Sequence, residues 1–387
     1  MLKKISFVII INLIFFILIE FSIRFILKFL EYPQVYKISN IDNNRYDFLT
    51  GYYNLPNQKE KIIDNFYYQG TDRYGFNLDG KRHPNFLETK DDNEIRIFIL
   101  GGSTVQGRSL KDKLDPISAR LEQKLNERIS NKKNFFVINA GTTSFISAQE
   151  LSLIQNRIIY SLKPDVIIVL NGTNDAFETP SKNFYLSNSH QFQRNFQKNI
   201  NNQSKSFFYF ADDILSRNIS TYFLLKKIIE KTTGVYLFDK EKRKYLEQSK
   251  NDLLTEKKEY RYYYNISILS KLSSNQLPIL TYLQPQMLPK NFETLSVNDK
   301  NLYNRKKKLS PNYFKDKQDF YNRISDNKKK YENLNSENFY FYNISELLSV
   351  NKNNDSFYTD HVHYSQSSRE IISERLFNDL KKIFEKN

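Results

Sequence analysis

Short apolar runs punctuate the middle of the chain, and each is followed by an amphipathic stretch. Residues 95–100 (IRIFIL) end in Gly101-Gly102 and read as a buried parallel strand. Asp115-Pro116 then opens a helix, with Asp as the cap and Pro at the first helical position. Ile117, Leu121, Leu125 and Ile129 recur every four residues and give that helix one apolar face. Residues 135–138 form a second strand, and Ser147-Ala-Gln-Glu150 reads as a capping box before a helix carrying Leu151, Ile154 and Ile158. Pro164 introduces a third strand at 165–170 (DVIIVL). Residues 278–283 (PILTYL) and 338–342 supply a fourth and a fifth. The chain ends in an amphipathic helix, capped around Ser367, with Ile371, Ile372, Leu376, Leu380 and Ile383 facing inward. Strand and helix in alternation predict a doubly wound α/β fold with a parallel sheet.

The first 30 residues follow a different pattern. From Ile5 to Ile19 only Ser6 and Asn12 are polar; Glu20 and Arg24 interrupt, and apolar residues resume to Leu30. A bilayer core needs about 20 mostly apolar residues, so residues 1–30 are expected to form a transmembrane signal-anchor. Lys3 and Lys4 favour a cytoplasmic N-terminus and place the remainder outside the cytoplasm, periplasmic or at the cell surface. A cleaved signal peptide would need a small-x-small site, which does not follow. Glu20 and Arg24, four apart on a helix, are expected to pair, or Arg24 to snorkel outward. Residues 31–94 read as a linker and flanking segment, and 95–387 as the domain proper. Insertions at about 176–260 and 286–335 interrupt that domain.

Composition narrows the chemistry. The 387 residues include 27 Tyr and 31 Phe, which excludes a generically disordered chain. There is no Cys, so disulfides, thiolate metal sites and Cys nucleophiles are all excluded. Only His83, His190, His361 and His363 are present, too few for a multi-histidine metal cage, and no metal or organic cofactor is expected. The net charge of +15 leaves nucleic acid, an anionic surface or simple solubility open. Its location decides more than its size. Residues 301–333 hold ten basic and four acidic side chains, so much of the excess lies in one insertion. That stretch reads either as a solvated charged helix or as a surface for an anionic glycan or lipid headgroups, with Lys306–Lys308 and Lys328–Lys330 at its centre. No nucleic-acid module is apparent.

In such sheets the chemistry lies beyond the carboxyl ends of the strands. Gly101-Gly102-Ser103-Thr104 follows the first strand, Asn139-Ala140-Gly141 the second, and Asn171-Gly172-Thr173-Asn174-Asp175 the third. Asp360-His361-Val362-His363 precedes the last helix. These parts suffice for nucleophilic acyl transfer: a serine at a sharp turn, a histidine to take its proton, and a carboxylate to fix the tautomer. The N–H groups of Ser103 and Gly141 and the Asn174 amide are candidate oxyanion donors. Each motif alone is equally a turn or a surface pair; their order and strand-end placement join them.

That constellation resembles the SGNH/GDSL hydrolase superfamily over about residues 95–175 and 278–387. The family's Gly-Asp-Ser stands here as Gly101-Gly102-Ser103, departing at the middle position. The glycine of the second motif is Gly141, Gly-x-Asn-Asp is Gly172-Thr173-Asn174-Asp175, and Asp-x-x-His is Asp360 and His363. The resemblance implies a three-layer α/β/α flavodoxin-like fold. It also implies Ser103 as nucleophile, His363 as base, Asp360 as its orienter, and Ser103, Gly141 and Asn174 as the oxyanion hole. His361, Ser109 and Ser144 are the rivals nearest in sequence, and Asp175 reads as a helix cap or a brace for the Asn174 loop. The expected activity is a membrane-anchored serine esterase that removes acyl groups, acetyl among them, from a cell-envelope glycan. An O-acetyltransferase, a lipid esterase and a non-catalytic glycan-binding or assembly factor are the alternatives.

Overall fold

Five apolar runs become the strands of one parallel sheet: β1 (Glu94–Gly101), β2 (Asn134–Asn139), β3 (Val166–Asn171), β4 (Ile279–Leu283) and β5 (Phe339–Asn343). The order is β2-β1-β3-β4-β5, with every neighbouring pair parallel. The computed structural model describes residues 44–177 and 252–349 apart from short loop stretches, and 355–385. It also describes parts of 12–25 and of 215–233. The chain forms two compact units, one of residues 1–43 and 195–251, the other of 44–194 and 252–387.

In the larger unit both sheet faces are covered, which is why its strands read as continuous apolar runs. Phe98, Leu100, Ile138, Ile167 and Val169 face one core, and Ile97, Ile99, Val137, Ile168 and Leu170 face the other. A short helix, α1 (Ser103–Gln106), follows β1, and α2 (Ile117–Arg128) leads to β2. Next come α3 (Ser147–Leu153), which runs on through a π-helical turn at Ile154–Ile158, and α4 (Thr173–Ala176) after β3. In the smaller unit lies α5 (Ser220–Thr233). The remainder is α6 (Asp252–Leu272), α7 (Val297–Leu309), α8 (Tyr313–Asp326), α9 (Lys328–Glu332) and α10 (Gln366–Phe384). Ile117, Leu121 and Leu125 of α2 pack with Ile372, Leu376 and Leu380 of α10 on one face of the sheet. Leu151 and Leu153 of α3 pack with Ile266 and Leu269 of α6 on the other. The architecture is therefore α/β/α. The chain passes from β1 outward to β2 and returns to β3 on the opposite side, so the switch point lies beyond the ends of β1 and β3.

Three expected helix caps are held differently. Helix α2 starts one residue later than expected, and Asp115 forms a buried ion pair with Arg369 of α10, Arg369 Nε donating to Oδ1 at 3.0 Å. Ser147 is the first residue of α3, and its N–H and hydroxyl donate to Asp175 at 3.1 and 2.5 Å; the carboxylate comes from the loop after β3. Gln149 Oε1 accepts from Ile146 N–H, so the reciprocal half of the box is made by Gln149 and not by Glu150. The cap of α10 is Ser365, whose Oγ accepts from Ser368 N–H, two residues before the expected position. At α3 and α10 a tertiary partner or a nearer hydroxyl takes the orphan N–H groups that a helix start presents, and at α2 the carboxylate expected to do so is held by Arg369 instead.

Residues 44–94 contribute to the core of the larger unit. Two small hairpins, Asn44–Asp47 with Gly51–Asn54 and Lys61–Ile63 with Phe66–Tyr68, precede a turn-rich stretch. Tyr53, Phe76 and Phe86 from this region are buried with Phe98 and Phe145.

Of the expected anchor, residues 1–11, 13, 24 and 26–30 lie outside the described residues. The described part is helical and exposes Ile14, Phe15, Phe16, Ile17, Leu18, Phe21 and Phe25. No helix of the described residues is long and apolar enough to cross a membrane. Arg24 lies outside the described residues. Glu20 caps α5, its Oε2 accepting from Thr221 N–H at 2.9 Å and from the Thr221 hydroxyl at 2.8 Å. Of the first insertion, residues 178–214, 216–218 and 234–251 lie outside the described residues.

Candidate active site

The sheet ends converge on Ser103. β1 stops at Gly101, whose Cβ, were there one, would lie 2.4 Å from both Leu170 O and a Val105 methyl. Only glycine lets the chain turn this tightly against β3 and start α1 at once, which presents Ser103 as its first residue. The Ser103 N–H carries no hydrogen bond to any described residue.

His363 comes from the loop before α10, 260 residues away, yet its Nε2 lies 2.8 Å from Ser103 Oγ. Its Nδ1 is 2.7 Å from Asp360 Oδ2. Asp360 Oδ1 accepts the N–H groups of Val362 and His363, each at 2.8 Å, so this short turn fixes the carboxylate against the imidazole of its own loop. Burial alone would raise the Asp360 pKa. The His363 charge, its hydrogen bond and the backbone donors outweigh that and hold Asp360 below the usual carboxylate range. With Asp360 ionised, Nδ1 carries the proton and Nε2 turns a lone pair to Ser103. His361 points elsewhere: its ring meets Tyr313 edge-on at 5.1 Å. Burial, then the neighbouring Lys306, push its pKa down to about 3, so it is neutral at pH 7.

The third motif also reaches this point. Gly172, at φ +105°, turns the chain out of β3, and Asn174 follows in α4. Asn174 Nδ2 donates to Phe145 O at 2.7 Å, leaving its second N–H. The same nitrogen lies 2.5 Å from where a Cβ of Gly102 would be. The departure from Gly-Asp-Ser thus has a local cause: position 102 has no room for a side chain while the Asn174 amide sits there. Asp175 is buried at the start of α3, its pKa pushed up to about 6 by burial against the opposing Ser147 donors. Beside it Glu150 is held well above its ordinary value, by burial first and the Asp175 charge second.

Gly141 is the exception among the expected oxyanion donors. Its N–H donates to Asn139 Oδ1 at 3.0 Å, so it is not available. A Cβ there would fall 2.3 Å from Gln106 N; the glycine serves close packing of α1 on the loop after β2. Asn54 and Asn77, from the segment read as a linker, both donate to Gly141 O, at 3.1 and 2.8 Å, and hold that loop. Three residues further on, Ser144 has φ +61°, and its N–H has no hydrogen bond among the described residues. The next carbonyl, Phe145 O, is the acceptor of Asn174 Nδ2 and lies 3.7 Å from the Cβ position of Gly102. The Ser144 turn therefore borders Gly102, next to Ser103. Sequence reasoning weighed Ser144 only as a rival to Ser103, because a left-handed serine carries no compositional mark.

No protein-family model matches the chain, and no curated protein is similar to it. Among solved structures it is similar to a lipase/acylhydrolase from Enterococcus faecalis, at 12% identity and a TM-score of 0.40, over 74% of this chain and 96% of that one. A lipase from a goat rumen metagenome is similar at 13% identity and TM-score 0.38, over 73% and 95%. A two-domain esterase active on acetylated mannans is similar at 11% identity and TM-score 0.36, over 75% of this chain and 49% of that one.

Proposed function

We propose that this chain is a serine esterase of SGNH type that removes ester-linked acyl groups, acetyl among them, from a cell-envelope glycan. The observation that carries the reading is the continuous hydrogen-bonded line from Ser103 Oγ through both His363 nitrogens to Asp360. In this reading His363 Nε2 takes the Ser103 proton as Oγ adds to the ester carbonyl carbon. The oxyanion is received by the N–H groups of Ser103 and Ser144 and by the second N–H of Asn174, with Ser144 in the place expected of Gly141. Collapse expels the alcohol, which leaves with the proton from His363. Water then repeats the sequence on the acyl-serine and restores the enzyme. The apolar N-terminal stretch would anchor the domain outside the cytoplasm, close to envelope polymers. The glycan part of the reading rests on that placement and on the resemblance in sequence motifs.

The full chain in detergent is expected to hydrolyse a small aryl acetate, and Ser103→Ala is expected to lower kcat by at least ~10³-fold with unchanged folding. Equal rates for the two proteins would refute the assignment.

A further inference from the structure

Between β4 and β5 the chain takes a detour of some 50 residues through α7, α8 and α9, and α8 lies against the strand ends beside the catalytic loop. Tyr321 of α8 binds Thr173 Oγ1 at 3.2 Å and donates to Gln284 O at 3.1 Å; Tyr313 stacks on Phe177 at 4.5 Å. Helix α8 thereby bridges the ends of β3 and β4.

Two lysines on this detour stand out by their partners. Lys317 of α8 is fully buried, and its ammonium makes one hydrogen bond, to Gln286 Oε1 at 2.8 Å. The rest of its surroundings are the rings of Tyr313, Phe177 and Phe314, at 4.8, 5.6 and 5.8 Å. Lys306 of α7 is half-buried over the same Tyr313 ring at 4.3 Å, with neither hydrogen bond nor ion pair from its ammonium to any described residue. The amide nitrogens of Gln284 and Gln286 are buried close to Tyr364 without meeting an acceptor in hydrogen-bonding geometry. Asp360 acts on both lysines at longer range, but each of its oxygens is already held by its own loop.

The result is a cluster of donors on the Asp360 side of Ser103, of which the Lys306 ammonium has no hydrogen-bond acceptor among the described residues and Lys317 has one. The Lys306 ammonium is partly stripped of water beside a carboxylate whose oxygens are already engaged, and an incoming acceptor with a negative charge offsets that desolvation. The other lysine run of the insertion is different: Lys330 lies 3.6 Å from Glu259 and over the Tyr263 ring, and Lys328 pairs with Glu332.

We propose that Lys306, with Lys317 fixed behind the Tyr313 ring, receives an anionic oxygen group of the substrate, a carboxylate or a phosphate, next to the scissile ester. Lys306 is the contact, and Lys317 holds the Tyr313 ring on which Lys306 rests. This deepens the esterase reading and rests on it for its place in catalysis, but binding can be tested without turnover. The full chain in neutral detergent is titrated with glucuronate and with inorganic phosphate, as wild type, Lys306→Met and Lys328→Met. Wild type and Lys328→Met are expected to bind at least one probe alike, and Lys306→Met to lose about 10- to 100-fold in affinity, the worth of one charged hydrogen bond. Preference for glucuronate would identify an acidic sugar as the source, and preference for phosphate a phosphorylated polymer or headgroup. In parallel, acetylated glucuronate, acetylated glycerol phosphate and acetylated glucose are compared by kcat/KM. The anionic-to-neutral ratio is expected to fall by the same factor in Lys306→Met. Binding of neither probe, or binding and ratios indifferent to Lys306→Met, would overturn the proposal and leave the esterase intact. Lys306-dependent binding without Ser103-dependent hydrolysis of any ester would uphold the site and refute the esterase.

Discussion

At the scale of single residues, the site depends on what is missing as much as on what is present. Gly102 stands where the resembling family carries aspartate, and a Cβ there would meet Asn174 Nδ2 at 2.5 Å. That nitrogen is the free end of a side chain, so the fold can yield; what yields is the amide proposed to hold the oxyanion. Gly102→Ala is therefore expected to lower kcat on an aryl acetate by about 10- to 100-fold, below the full loss of a donor, with little change in urea midpoint. Gly102→Asp should fall further, not gain. An unchanged kcat for Gly102→Ala would remove Asn174 from the oxyanion site. That Ser103, Asn174, Asp360 and His363 come together was legible in the sequence, because each sits in a short motif at the end of a strand or before the last helix; the roles given to them remain part of the proposal. Gly141 was misread: its N–H goes to the side chain of Asn139, and no spacing rule reveals a side chain that folds back two residues. Ser144 was weighed only for its hydroxyl, since its conformation and not its type leaves its N–H without a hydrogen bond among the described residues.

At the scale of elements, strands were read to within about a residue, since a strand buried on both faces is a continuous apolar run bounded by polar residues. Helix starts were read less well. Asp175 reaches α3 from the end of β3, and Arg369 draws Asp115 away from the role of cap; both partners are distant in sequence. The insertion helices show the same limit more sharply. Lys306 and Lys317 belong to one basic stretch with Lys328 and Lys330, and only the fold separates lysines near the Asp360–His363 loop from those paired with Glu259 and Glu332.

Helix α8 carries a consequence for stability. Burial, with Lys306 adding to it against the pull of Asp360, lowers the Lys317 pKa from 10.5 to about 7. Between those values the unfolded chain holds the proton and the folded chain does not. Stability should thus rise with pH from about 7 toward 10, by up to ~1.4 kcal/mol per pH unit from this group, with no such rise below 7. Lys317→Met removes the buried charge and should flatten that rise, making the variant the more stable of the two near pH 6 and nearly equal to wild type by pH 10. Urea unfolding at pH 6, 8 and 10 tests this; parallel curves for the two proteins would show that Lys317 is solvated.

At the scale of the whole molecule, one parallel sheet gathers residues from positions 103, 144, 174 and 360–363 at one edge. Its switch point lies between the first and third strands. Nothing in the order of those motifs requires a hydrogen bond from residue 363 to residue 103; the closure comes from α10 packing against α2 and from the buried Asp115–Arg369 pair that joins them. The segment before the sheet was read as a flank, and its aromatic core residues and the two asparagines on Gly141 O make it part of the scaffold. The central claim is that Ser103 is an activated nucleophile, and covalent trapping tests it most directly. Full-length protein treated with a fluorophosphonate is expected to gain one adduct by intact mass, mapped to Ser103, and to gain none in Ser103→Ala or His363→Ala. Folded wild-type protein that takes no adduct, or takes it at another residue, would contradict the account.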